Sequence, residues 1–253
     1  MGEAVYASPI AFKRKREMSI YFTSDTHFGH GNIIKYCHRP YLSPYDKEVL
    51  EREGQWHNGD WKGPTSSRHR ISNEAVAMMN DELINNINAI VGQNDTLWHL
   101  GDWCFAGKHE YNQKAKYYRD RIVCRNVNII WGNHDHRSIR HLFGQAEELY
   151  HLHVDGQLIV LCHYAMAVWD GSHRGSWNLY GHSHAGAEKW MDANLPGRRS
   201  FDVGVDNAAK VLGAYRPWSL AEVKAIMDKR DGFSMDHHIP RNSKAPREEE
   251  LVG

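Results

Sequence analysis

The stretch Ser19-Ile-Tyr-Phe-Thr-Ser-Asp-Thr-His27 joins a run of β-branched and aromatic residues to a cluster of metal-ligand and turn-forming side chains. Residues 19–23 have the composition of a strand. Asp25 and His27 follow two positions apart, so in extended chain both point the same way. Four later runs repeat the pattern. Residues 96–100 lead into Gly101-Asp102, residues 127–131 into Gly132-Asn133-His134-Asp135, residues 158–162 into His163, and residues 177–180 into Gly181-His182-Ser183-His184.

Between the first two runs, Val76, Met79, Leu83, Ile84, Ile87, Ile90 and Val91 fall at helical spacing. Ser72 before them and Gly92 after them are start and stop signals, so residues 75–91 read as an amphipathic helix covering a sheet. A second helix is expected over 110–122. A third starts at Ser219, where Ser219 and Glu222 have capping-box spacing and Leu220, Val223, Ile226 and Met227 form the face to be buried. Strands separated by helices define an α/β layered fold. In open α/β sheets ligands bind beyond the carboxyl ends of the strands, so the five clusters are expected to form one site.

At 253 residues and 41% apolar content the chain suits one domain with a substantial core. Lys plus Arg and Asp plus Glu are 31 each, so net charge favours neither nucleic acid nor an anionic membrane. Cys37, Cys104, Cys124 and Cys162 are too far apart for a compact disulfide framework, which fits a reducing compartment. Residues 1–17 carry Lys13, Arg14, Lys15 and Arg16 without an apolar segment after them, and no stretch reaches the ~18 apolar residues of a membrane span. A cytoplasmic protein with no membrane partner is expected. Its parts are an arm (1–17), one domain (18–230) and a polar tail (231–253) in which His237 and His238 are solvated. Residues 55–70 read as a long inserted loop.

A lone His or Asp after a strand is ordinarily a turn or capping residue. Five such clusters in equivalent positions point instead to metal. Gly101, Gly132 and Gly181 each precede a ligand type and suit backbone that must turn tightly or approach a ligand closely. The donors are nitrogen and oxygen without thiolate, which suits manganese, iron, zinc, nickel or cobalt and opposes a closed structural zinc site. There are too many ligands for one ion.

In order, DxH, GD, GNHD, H and GHxH resemble the signature of the calcineurin-like metallophosphoesterase superfamily, from about Met18 to Met227. The resemblance implies a four-layered α/β/β/α sandwich with two mixed sheets flanked by helices. It implies two divalent ions, manganese first: one held by Asp25, His27 and His184, the other by Asn133, His163 and His182, with Asp102 between them. It makes His134 the general acid, or stabiliser of the transition state, and Asp135 the group that holds its ring. The implied activity is hydrolysis of a phosphoester by a metal-activated water. The longer Arg- and Gly-containing signature of the Ser/Thr protein phosphatases is replaced here by Trp103-Cys104-Phe105, which disfavours that branch. Residues 22–34, Arg39-Pro40 and Phe201-Asp-Val-Gly-Val-Asp206 look like the small bacterial and phage phosphoesterases.

His30, Asn32 and Arg39 are candidates for the substrate side, with Arg39 offering a planar fork to phosphate. Arg137 is a further candidate, although with His136 it more simply begins a solvent-facing helix. Most tryptophans read as core; Trp56 and Trp61, in the polar 55–70 segment, stand out as possible stacking surfaces for a base. Cys104 and Cys162 read as small buried hydrophobes. The favoured function is a phosphodiesterase acting on a nucleotide or nucleic-acid phosphodiester. A phosphomonoesterase would need extra cations from Arg39 or Arg137. A binding module that had lost its chemistry should lack a ligand, and none is missing.

Overall fold

A computed structural model describes residues 18–62 and 67–232. The arm 1–17 and the tail from 233 onward, with His237 and His238, lie outside the described residues. The elements, in order, are β1 (Ile20–Thr23), α1 (Gly31–Tyr36), α2 (Pro44–Arg52), β2 (Trp56–His57), β3 (Asp60–Trp61), α3 (Asn73–Ile90), β4 (Thr96–His99), α4 (Tyr111–Arg121) and β5 (Asn126–Ile130). Then follow β6 (Ala146–Glu147), β7 (Leu149–Val154), β8 (Gln157–Cys162), β9 (Trp177–Tyr180), α5 (Glu188–Asn194), β10 (Ser200–Asp202), α6 (Val205–Leu212), β11 (Trp218–Ser219) and α7 (Leu220–Met227). The protein is α/β.

Two mixed sheets carry the fold. The first has the order β11-β1-β4-β5-β6, parallel except where β11 pairs antiparallel with β1. The second has the order β10-β9-β8-β7, with an antiparallel β7–β8 hairpin at one edge. Asp155 and Gly156, both at positive φ, make its turn, which matches the strand twist.

Alternation along the strands sorts the side chains into two cores. Tyr21, Leu97, Val127 and Ile129 face Leu83, Ile87, Ala115 and Tyr118 of α3 and α4. Phe22, Trp98 and Ile130, one step along, face Ile159, Leu161, Leu179 and Phe201 of the second sheet. One helical layer and two stacked sheets follow directly from this period of two. On the second sheet, Tyr180 and Asp202 hydrogen-bond Glu188 of α5, and Arg198 is buried against the same carboxylate.

All five expected strands and all three expected helices form, α3 capped by Ser72 and α7 by the Ser219–Glu222 box. Val223 and Met227 are buried, with Leu220 and Ile226 packed at the core edge. Segment 55–70 is not wholly loop. Trp56 and Trp61 pair across the β2–β3 hairpin, their rings 5.5 Å apart edge to face, and both are buried in the helical core. They are not free stacking surfaces. The four cysteines are unpaired, three of them buried, and burial raises the thiols of Cys104, Cys124 and Cys162. Among the described residues no helix is long and apolar enough to cross a membrane.

Candidate metal centre

The parallel ladders run on past the strand ends and carry the ligand loops in register. Beyond β1 and β4, Asp25 N–H donates to Gly101 O (3.0 Å), His27 N–H to Asp102 O (3.0 Å) and Phe28 N–H to Trp103 O (3.1 Å). Gly181 N–H donates to His163 O, and Val205 N–H to Ser24 O, which ties the two sheets together at the same end. Five strand ends therefore meet.

Two groups of donors result, each with ligand atoms within 4.8 Å of one another: Asp25, His27 and His184, and Asp102, His163 and His182. Asp102 links them, its Oδ2 lying 3.4 Å from His27 Nε2 and 3.6 Å from His163 Nε2. His163 Nδ1 is 2.7 Å from Leu100 O, an acceptor only, so Nδ1 carries the proton. In the neutral ring Nε2 then presents a lone pair toward Asn133 Oδ1 at 3.2 Å and the Asp102 carboxylate. Both ring nitrogens of His27 are buried without a hydrogen-bond partner, and Nε2 lies 4.0 Å from Asp25 Oδ1. Orphaned acceptors around buried carboxylates are what a divalent cation satisfies, so the donors fit the metals expected from sequence.

Two of the imidazoles have the electrostatics of neutral ligands, whereas at His184 burial is outweighed by hydrogen bonds with Asp206 and Cys37, which raise it to about 11. Burial, reinforced by His184, Arg39, His30 and His134, holds His27 well below the ordinary imidazole range, as a neutral ligand requires. Burial and His163 also lower His182, and burial raises Asp25. Asp25 (φ 57°), His27 (47°), Asp102 (57°), His182 (66°) and His184 (48°) are all left-handed, a conformation that costs of order 1–3 kcal/mol per non-glycine residue and collects at functional sites. The glycines act as expected. A Cβ on Gly132 would strike the Asp102 carboxylate, one on Gly181 would strike Ser24, and one on Gly101 would lie 2.5 Å from His163 Nδ1.

These donors open on a cavity of about 660 Å³ lined by His27, Asp102, His134, His182 and His184, with Tyr36 and Phe105 on its wall. His134 is exposed, its backbone N–H held by Asp102 Oδ1 at 2.9 Å. Asp135 does not hold the His134 ring. Its carboxylate accepts from the backbone N–H of Asp102 (2.8 Å), Trp103 (3.0 Å) and Gly132 (3.0 Å) and from Tyr111 Oη (3.3 Å), clamping two ligand loops together. Burial raises this carboxyl to about 6, against the pull of those N–H groups.

Arg39 is not on the substrate side either. It is fully buried, donating to both Asp206 oxygens and to the carbonyls of Asp25 and Thr26. Asp206 in turn accepts from His184 Nδ1 at 2.6 Å. Arg137 pairs with Glu148 and lies over the Trp131 ring, outside the cavity, in the solvent-facing short helix 137–142. His30 does line the cavity, and burial and His134 lower it to about 4. Asn32 faces a neighbouring groove.

Sequence reasoning missed Asp206, Asp202, Tyr111 and Cys37 as parts of the site. Asp202 accepts from Ser183 Oγ, Ala185 N–H and Gly204 N–H, holding the loop that carries His182 and His184. Cys37 lies within reach of His184 and Asp206. The signal for the two aspartates was the Phe201-Asp-Val-Gly-Val-Asp206 stretch, whose carboxylates flank a glycine that the site needs small.

Fold and site define an α/β protein with a paired His/Asp/Asn donor cluster at the carboxyl ends of its strands. No family model matches the chain. It is 30% identical over 212 residues to the uncharacterized protein MJ1445 of Methanocaldococcus jannaschii, covering 83% of this chain and 92% of that protein, and it belongs to the same family. In fold it is similar to the crystal structure of AQ665, a protein of unknown function from Aquifex aeolicus, with a TM-score of 0.51 and 18% identity over 83% of this chain and 99% of that one.

Proposed function

We propose that this chain is a metal-dependent phosphodiesterase, related to the calcineurin-like metallophosphoesterases its motif order resembles, acting in the cytoplasm on a nucleotide or nucleic-acid phosphodiester. The observation that supports this best is the position of Asp102 Oδ2 between His27 Nε2 and His163 Nε2, 3.4 and 3.6 Å away, with a donor group on each side. Asp25, His27 and His184 would hold one divalent ion, manganese first, and Asn133, His163 and His182 the other, with Asp102 reaching both. When bound, such a pair makes water acidic enough to attack near neutral pH and offsets charge on phosphoryl oxygens.

The chain's own side chains do the rest. His134, on the cavity wall and fixed at its backbone by Asp102, offers a ring nitrogen to protonate the leaving oxygen. Asp135 keeps the Asp102 and His134 loops at a fixed separation. Among the described residues no lysine or arginine lines the cavity, and the two arginines that a dianionic monoester would call on are engaged elsewhere, Arg39 by Asp206 and Arg137 by Glu148. A diester carries one negative charge fewer, which favours it.

The test is hydrolysis of bis(4-nitrophenyl) phosphate beside 4-nitrophenyl phosphate, with added manganese and with a chelator, alongside melting curves. Manganese-dependent turnover favouring the diester is expected, lost in Asp102→Ala and His134→Ala. Manganese should raise the melting temperature of the wild type and of His134→Ala by more than that of Asp102→Ala, because ligand binding to the native state stabilises it. Inactivity on both esters, with melting indifferent to metal, overturns the reading.

A further inference from the structure

His30 and Phe105 stack at 4.2 Å with their planes 18° apart, and the pair lines two openings at once. One is the metal cavity. The other is a groove of about 590 Å³ bounded by the start of α1, the start of α3 and α4. Phe105 is 43% exposed, so part of the ring remains open to a ligand.

Arg70 and Lys114 both reach this groove, both are exposed, and neither has a carboxylate partner among the described residues. Among the described residues Glu110 is its one acid. The exposed residues Asn32 and Asn73 also line it, whereas Asn80 is engaged by Gly29 N–H and Tyr118 Oη. Gly29 (φ +84°) is required here, since a Cβ on it would lie 2.8 Å from Phe105 O and push that plate out of place.

We propose that this groove is a subsite for the nucleotide next to the scissile phosphate of a single-stranded nucleic acid, with Arg70 and Lys114 meeting its phosphate and Phe105 offering a face to its base. The proposal rests on the phosphodiesterase reading above. A mononucleotide ester has one phosphate, which the metal centre takes. Two cations in the adjoining groove, without a carboxylate partner among the described residues, suit a substrate that continues into a further phosphate. A basic groove with an aromatic plate is the arrangement by which single strands bind without sequence preference, and its volume is that of a small-molecule site.

Binding of a fluorescent ten-residue oligothymidylate to the protein as purified, followed across a salt series, tests this without relying on turnover. Each lost phosphate contact should flatten the dependence of log affinity on log salt by about 0.7 for a single strand. Arg70→Ala and Lys114→Ala are each expected to weaken binding and flatten the slope by that amount. Phe105→Ala should weaken it roughly tenfold at every salt concentration. Lys224→Ala, an exposed lysine on α7 paired with Asp228, is the charge control and should alter neither. Absence of strand binding, unchanged slopes in both groove variants, or an equal effect of Lys224→Ala overturns the proposal. Chromogenic diester hydrolysis without strand binding rejects the groove and leaves the hydrolase; strand binding with the expected slopes but no metal-dependent hydrolysis rejects the hydrolase and leaves the groove.

Discussion

Arg39 and Asp206, 167 residues apart, are joined by two hydrogen bonds of 2.8 Å each, and this buried fork connects the first ligand loop to the last. The same guanidinium donates to the Asp25 and Thr26 carbonyls, and the Asp206 carboxylate also accepts from the His184 ring. The pair is mutually stabilising: despite burial, Arg39 and His184 hold the Asp206 carboxyl down at about 2, and Asp206 holds the guanidinium above its ordinary range.

A lysine at 39 keeps the charge but cannot reproduce the fork. Arg39→Lys and Asp206→Asn should therefore each lower manganese affinity by about 10- to 100-fold, the usual loss when a ligand's supporting partner is removed. Calorimetric titration with manganese reads this directly. Wild-type affinity in both variants would reduce the fork to a packing device.

Gly132 has no room for a side chain, because a Cβ there meets the Asp102 carboxylate. Gly132→Ala should displace that carboxylate and abolish metal-induced stabilisation, with a stability loss of about 1–3 kcal/mol for the overpacked contact. Gly107 has open space where a Cβ would go and no positive φ. Gly107→Ala should stay within about 0.5 kcal/mol of wild type in urea unfolding. Equal behaviour of the two variants would contradict the close approach.

His134 and Asp135 are adjacent but do different work, and substitution should separate them. His134→Ala leaves the backbone clamp intact, so stability should hold while diester turnover falls by about 10²–10⁴-fold. Asp135→Asn turns an amide group with its own protons toward backbone donors. It should cost about 1–3 kcal/mol of stability, the price of buried groups left unmatched. Unfolding and turnover measured on both variants decide this; an Asp135→Asn protein as stable as wild type sinks the clamp.

Asp46, fully buried, ties the starts of α2 and α3, accepting from the Oγ of Ser43 and Ser72 at 2.6 Å each and from His69 Nε2 at 2.7 Å. Burial alone would raise its pKa, but the hydrogen bonds from Ser43, Ser72 and His69 outweigh it and hold the carboxyl at about 2, below the usual 3.8. A depressed folded-state pKa gives stability that is present above about 4 and lost as pH falls through about 2. Asp46→Asn should thus cost about 2 kcal/mol at pH 7 and only about half as much at pH 3. A cost that does not change with pH would show that packing, not charge, explains it.

Much of this was readable locally. Strand composition, the Ser72 and Ser219 caps and the glycines before the ligands are short-range signals, and the structure realises each. Other local signals are equally present. Ser43-Pro44-Tyr45-Asp46 spells a capping box with proline at the first helical position, and Asp155-Gly156 spells a hairpin turn. The burial of Trp56 and Trp61 was not legible, because a two-residue hairpin makes almost no periodic pattern and its core comes from residues elsewhere in the chain.

By itself the sequence determined which side chains gather, since strand alternation and turn chemistry act over a few residues and five strands end in ligand types. Tertiary structure alone decided what the charged residues around them do. Arg39 could have met phosphate, and Asp135 could have held His134, with no change in local pattern. Whether a guanidinium or carboxylate faces a substrate or a buried partner depends on which distant segment arrives beside it, here Asp206 from the start of α6 and the N–H groups after β4. A carboxylate looks the same in sequence whichever donor it meets, and only the packed chain supplies the donor.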